Sequence, residues 1–181
     1  MIVVGILGSG SGAVLEIARR AAATGARTEV VGAASGGAEG DRQLLQVASA
    51  GVGHATVTRS AAGPEPGIEP ADLELALRYL PDVRAIVLVA PAGPLLATAA
   101  AAAGFTAATV VVVGPVDAAA LDAVGSPQLI VLDPPGRDPD GAFAGVVAAL
   151  ATRLDAGDEP AAAWAATVSM LAVEGAPSAA T

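Results

Sequence analysis

Two short stretches of this chain carry residue types that could do chemistry. The first is the loop Asp133 to Gly141, reading DPPGRDPDG, which leads into the apolar run AFAGVVAALATRL. Asp138 and Asp140 sit just ahead of a helix start, where an aspartate serves either as a general base or as a helix cap. Gly136 and Gly141 flank them, and glycine amides at a helix N-terminus are suited to holding an anion. The second stretch is Gly8-Ser9-Gly10-Ser11-Gly12, between an apolar strand and a helix. That is the context of a dinucleotide or phosphate turn, and equally of a plain tight strand-to-helix turn. The acidic partner of a dinucleotide ribose is missing after the second strand, where Val31 leads to Gly32, Ala33 and Ala34.

The elements that must position these loops alternate regularly. Apolar runs predict strands over Ile2–Leu7, Thr28–Val31, His54–Thr58, Ala85–Val89, Thr109–Val113 and Leu129–Leu132. Helical periodicity predicts helices over Gly12–Thr24, Asp41–Ala50, Glu69–Leu80, Pro94–Ala103, Asp117–Val124, Gly141–Leu154 and Pro160–Val173. Strand-helix alternation with continuously apolar strands implies an α/β protein: a three-layer α/β/α sandwich on a mostly parallel sheet. At 181 residues it reads as one domain, 1–175, with a frayed tail at 176–181. Trp164 and Phe143 read as core residues.

Composition excludes several functions. The net charge of −9, with nine arginines, no lysine and no basic run, is wrong for a nucleic-acid binder. The absence of cysteine rules out disulfides, thiolate nucleophiles and Cys-ligated metals. The stretch from Ala85 to Val116 carries no charge, but Pro91, Gly93, Pro94 and Gly104 break it into strand, helix and strand, so no membrane span is expected. The start of the chain lacks a basic signal-peptide region, and a cytoplasmic location is expected. His54, the sole histidine, has no companion ligand, and no metal site is expected. No Gly-x-Ser-x-Gly elbow with an identifiable base supports Ser9, Ser11 or Ser35 as a nucleophile.

Asp133 to Gly145 resembles the C-terminal signature of the PfkB/ribokinase family of carbohydrate kinases, a D-x-x-G-A-G-D-A-F pattern. Asp133 and Gly136 match from the left; Ala142, Phe143 and Gly145 match from the right. Two extra residues lie between, and the G-A-G-D core has become Arg137-Asp138-Pro139-Asp140-Gly141. Gly25 to Arg59 is similar to the family's strand, glycine turn, helix and strand, and Gly8 to Gly25 resembles its first helix. Glu69 to Ala90 fits the helix and strand that follow. The resemblance spans about two thirds of the chain.

The resemblance implies a ribokinase-like fold, with ATP and Mg²⁺ as cofactors if the protein is active and a sugar or nucleoside as acceptor. It also implies losses. Leu7 runs directly into the glycine turn, so the family's lid and sugar-binding aspartate are missing. The family's helix asparagine falls near Glu16 or Ile17, and no N-x-x-E motif follows Val113. Anchored from the right, the catalytic aspartate position holds Gly141, leaving Asp140 or Asp138 as the remaining candidate bases. Pro139 has no N–H for an anion. The expectation is therefore a shortened kinase homologue with impaired or lost phosphoryl transfer. The alternatives are a non-catalytic small-ligand or regulatory module, and an NAD(P)-binding Rossmann-like protein. Without a lid, an exposed apolar face calls for a homo-oligomer.

Overall fold

The computed structural model describes residues 1–7, 12–59, 67–80, 82–125, 128–138 and 140–174. Gly8, Ser9, Gly10, Ser11, Pro139 and the tail expected at 176–181 lie outside the described residues. Six strands form one sheet: β1 (Ile2–Ile6), β2 (Glu29–Ala34), β3 (Gly53–Arg59), β4 (Ala85–Val89), β5 (Thr109–Val113) and β6 (Leu129–Leu132). Every pairing is parallel, and the order is β3-β2-β1-β4-β5-β6. Among the described residues, seven helices cover it: α1 (Ala13–Ala23), α2 (Gly37–Ser49), α3 (Pro70–Tyr79), α4 (Gly93–Thr106), α5 (Ala118–Val124), α6 (Ala142–Ala156) and α7 (Pro160–Glu174).

The strands are apolar throughout because both sheet faces are buried. The pleat sends Val3, Val87, Val111 and Val113 into one core, with α1, α2, α6 and α7. It sends Ile2, Val4, Ile86, Leu88, Val110 and Val112 into the other, with α3, α4 and α5. Each fully buried Leu, Ile or Val contributes about 1.5–3 kcal/mol relative to exposure. The result is the expected three-layer α/β/α sandwich.

Helix α1 buries Val14, Ile17, Ala18 and Ala21, spaced i, i+3, i+4, i+7. It lies against α6, whose buried face of Ala144, Val147, Ala148 and Ala151 is small enough for close approach. Close approach recurs between β1 and β2. Gly5 and Gly32 are in register, and a Cβ on Gly32 would collide with the Gly5 carbonyl oxygen.

Several elements extend further than expected, among them α4, which spans Gly93–Thr106 rather than Pro94–Ala103. Strand β2 runs to Ala34, and α2 starts at Gly37 rather than Asp41. The glycine-rich segment is thus part of the strand-helix corner. Gly40 packs its bare Cα against the Ser35 carbonyl, where any side chain would clash. The expected placing of Trp164 in the core is corrected. Helix α7 buries Ala163 and Thr167, one turn apart, and the Thr167 hydroxyl donates to the Ala163 carbonyl at 2.8 Å. Trp164 stands about 100° round the helix from Ala163 and is 42% exposed. Phe143 is half-buried against the first core, as expected. Among the described residues, no helix is long and apolar enough to cross a membrane.

Candidate functional site

In an open parallel sheet the ligand crevice lies beyond the carboxyl ends of the strands, where the chain winds away in both directions. Here that point falls between β1 and β4, the strands that are adjacent but not consecutive. A cleft of about 240 Å³ opens beside it. Its walls are Val14 and Ile17 of α1, Val89 and Ala90 ending β4, and Gly114 and Pro115 after β5; the loop after β6 and the start of α6 close it. Ala90 adopts a left-handed backbone (φ 47°), unusual for a residue with a Cβ, and its N–H donates to the Val113 carbonyl at 2.8 Å. That turn lets the chain leave the sheet beside the cleft.

Gly136, Asp138 and Gly141 line this cleft together with Arg137 and Glu16. The Asp138 carboxylate faces the N-terminus of α6. One oxygen accepts from the Phe143 N–H at 3.1 Å and the other from the Ala144 N–H at 3.1 Å. The Gly141 N–H donates to the Asp138 carbonyl at 3.2 Å, and Gly141 itself is left-handed (φ 66°). The first-turn amides that an external anion would use are thus held by the chain's own carboxylate.

Asp140 is exposed and does not line the cleft; its carboxylate has no hydrogen-bond partner among the described residues. Its backbone carbonyl is held instead, accepting from the Arg20 guanidinium at 2.8 Å. Gly12, the described part of the glycine-rich turn, caps α1 in a left-handed conformation (φ 69°). Gly8, Ser9, Gly10 and Ser11 lie outside the described residues.

A cluster on α1 that was not singled out as a site borders the cleft. The Glu16 carboxylate accepts from Arg20 Nε at 2.6 Å and from Arg19 at 2.8 Å. Hydrogen bonding from Arg19 holds Glu16 below its ordinary carboxylate range; partial burial opposes this, and Arg20 reinforces it. The same pairing raises the Arg19 guanidinium. The i, i+3 and i, i+4 spacing was legible in the sequence as a helix-surface pair. What it did not disclose is that Arg20 also reaches a loop 120 residues away. The left-handed backbone of Gly141 favours glycine there, and a Cβ would lie 2.6 Å from the Arg20 guanidinium, which would have to shift.

His54 sits at the edge strand β3, its Nδ1 3.2 Å from the Val52 carbonyl. Among the described residues, no group of three or more His, Asp or Glu side chains is arranged to hold a metal.

No protein-family model matches the chain, and no curated protein matches it in sequence. Solved structures do match it in fold. A carbohydrate kinase from Agrobacterium tumefaciens superposes with a TM-score of 0.66 at 12% identity, covering 99% of this chain and 92% of that one. A fructokinase from Xylella fastidiosa with bound ATP gives 0.60 at 13% identity, covering 93% and 85%. An E. coli protein designated ribokinase II, in complex with ATP and Mg²⁺, gives 0.58 at 11%, covering 91% and 89%. The identities are low and the coverage nearly complete, so what is shared is the architecture: the chain has the fold of the PfkB/ribokinase-like carbohydrate kinases.

Proposed function

We propose that this protein has the carbohydrate-kinase fold without phosphoryl transfer, and that its cleft serves as a non-catalytic binding site for a small uncharged sugar-like or nucleoside ligand. The observation that carries this reading is the Asp138 carboxylate seated on the Phe143 and Ala144 amides. Phosphoryl transfer depends on stabilising negative charge at such a site. Here a fixed negative charge already occupies it. Two of the three neighbours named above hold ATP, one of them with Mg²⁺. The residues of this cleft fit a triphosphate poorly: Glu16 and Asp138 add two negative charges against the positive charge of Arg137. The candidate bases Asp138 and Asp140 then take other parts, the first as a cap and the second as a loop residue.

The test is ADP release with ATP–Mg²⁺ and a panel of pentoses, hexoses and nucleosides, run beside thermal denaturation with the same compounds. The expected result is no ADP above background, with a raised melting temperature for at least one sugar or nucleoside. Sugar-dependent ADP release would overturn the loss of transfer. No thermal shift with any compound would overturn the binding role.

One observation favours a second reading. The strand order is also that of the dinucleotide-binding doubly wound sheet, with the first strand-helix turn at its switch point. Stabilisation by NADH, abolished by Gly12→Val, would support it. Indifference to NADH while a sugar stabilises would exclude it.

A further inference from the structure

A surface helix normally keeps charge on its outer face, and one that is apolar all round is normally buried. Helix α4, GPLLATAAAAAGFT, has no charged residue in 14. Its inner face, Leu95, Leu96, Ala99 and Ala103, is in the core. Its outer face, Ala97, Ala101, Gly104 and Phe105, stands open to solvent, and Phe105 is 92% exposed. Between α4 and α3 runs a broad groove of about 580 Å³, lined by Leu77, Ala97, Ala101, Ala102 and Phe105. Small side chains leave room there for an aromatic ring, and a ring projects from the same surface.

The groove is bordered on α3 by Glu74 and Arg78, one helical turn apart. That spacing usually yields an ion pair within the helix. Here neither residue has an ion-pair partner among the described residues. The patch as a whole is electrically neutral on a chain of net charge −9. With one charge of each sign at its border, the patch is complementary to a second copy of itself. A twofold axis across the middle of α3 would set Glu74 of each copy against Arg78 of the other. A twofold contact uses the same patch on both sides, so knob and groove must lie on one surface, as they do.

From this juxtaposition we infer that the α3–α4 face is a homodimer interface, in which Phe105 of each copy fills the groove of the other. The inference is independent of any ligand in the cleft. The groove gives the ring an apolar seat, and the crossed Glu74–Arg78 pairs fix the register.

Sedimentation velocity at micromolar concentration tests it. The expected species has twice the monomer mass of 17.3 kDa. Phe105→Asp should give a monomer with an unchanged circular dichroism spectrum, because the side chain touches little within its own chain. Glu74→Arg and Arg78→Glu should each raise the dissociation constant at least tenfold, and the double exchange should restore dimerisation. A monomeric wild type would overturn the inference. So would a dimer indifferent to these changes, or one lost on Trp164→Asp instead, which would move the contact to α7.

Discussion

Arg20 donates from its guanidinium to the carbonyl oxygen of Asp140 at 2.8 Å, while its Nε holds Glu16 at 2.6 Å. One side chain thereby ties the first helix to the loop that opens α6. Gly141 leaves the space through which it passes. The loop is fixed by its backbone, and the Asp138 carboxylate is delivered onto the helix amides. Segments 120 residues apart in the chain meet beside the cleft through this contact.

Arg20→Ala should therefore destabilise the fold by about 1–2 kcal/mol, the lower part of the roughly 1.5–3 kcal/mol range for charged hydrogen bonds, because the side chain is 36% exposed. Arg20→Lys should rescue only part of it, since one ammonium does not reproduce the planar fork that reaches both acceptors. Urea denaturation of the three proteins measures this. Equal stability of wild type and Arg20→Ala would mean that the contact contributes nothing.

Asp138→Ala should cost about 1 kcal/mol through loss of the cap. It should also free the Phe143 and Ala144 amides. Inorganic phosphate should then raise the melting temperature of the variant more than that of the wild type. An equal response in both proteins would mean that the first turn of α6 is not an anion site.

Acid stability should depend on Glu16. Its folded pKa lies below the unfolded value near 4.5, so its contribution is complete above that value and is lost as pH falls through the lower folded one. The side chain is 29% exposed, so the effect is moderated by solvent. Thermal melts from neutral pH into the acid range should show Glu16→Gln falling less steeply below pH 4.5 than the wild type. Parallel curves would remove Glu16 from the acid transition.

Gly32→Ala should destabilise by about 3 kcal/mol or more, at the upper end of overpacking costs, because the new methyl meets a backbone oxygen that cannot rotate away. Soluble yield and chemical denaturation measure it. A stable variant would show that β1 and β2 can part at Gly5.

Trp164 is the single tryptophan, and it is 42% exposed. Its fluorescence should be accessible to acrylamide. Trp164→Ala should cost well under the roughly 3–5 kcal/mol of a core truncation. A blue-shifted, unquenched emission would mean that this face of α7 is covered.

The sequence by itself determined the element order, the layer architecture and the kinase-like signature. Strands buried on both faces must be apolar throughout, and helices buried on one face must repeat every 3.6 residues; both patterns are local and can be read without coordinates. Strands β4, β5 and β6 begin and end where their apolar runs do. The signature loop also exposed its own oddity, a proline and two aspartates where glycine amides would lie. The tertiary structure decided what those residues do. Whether Asp138 points at a substrate or at Phe143 depends on how α6 begins, and that beginning is set partly by Arg20, far away in the chain. The outward turn of Trp164 was equally hidden, since an alanine-rich helix leaves no polar stripe to mark its exposed face. Periodicity records which residues share a face; only packing decides which face is covered, because burial depends on contacts between distant segments.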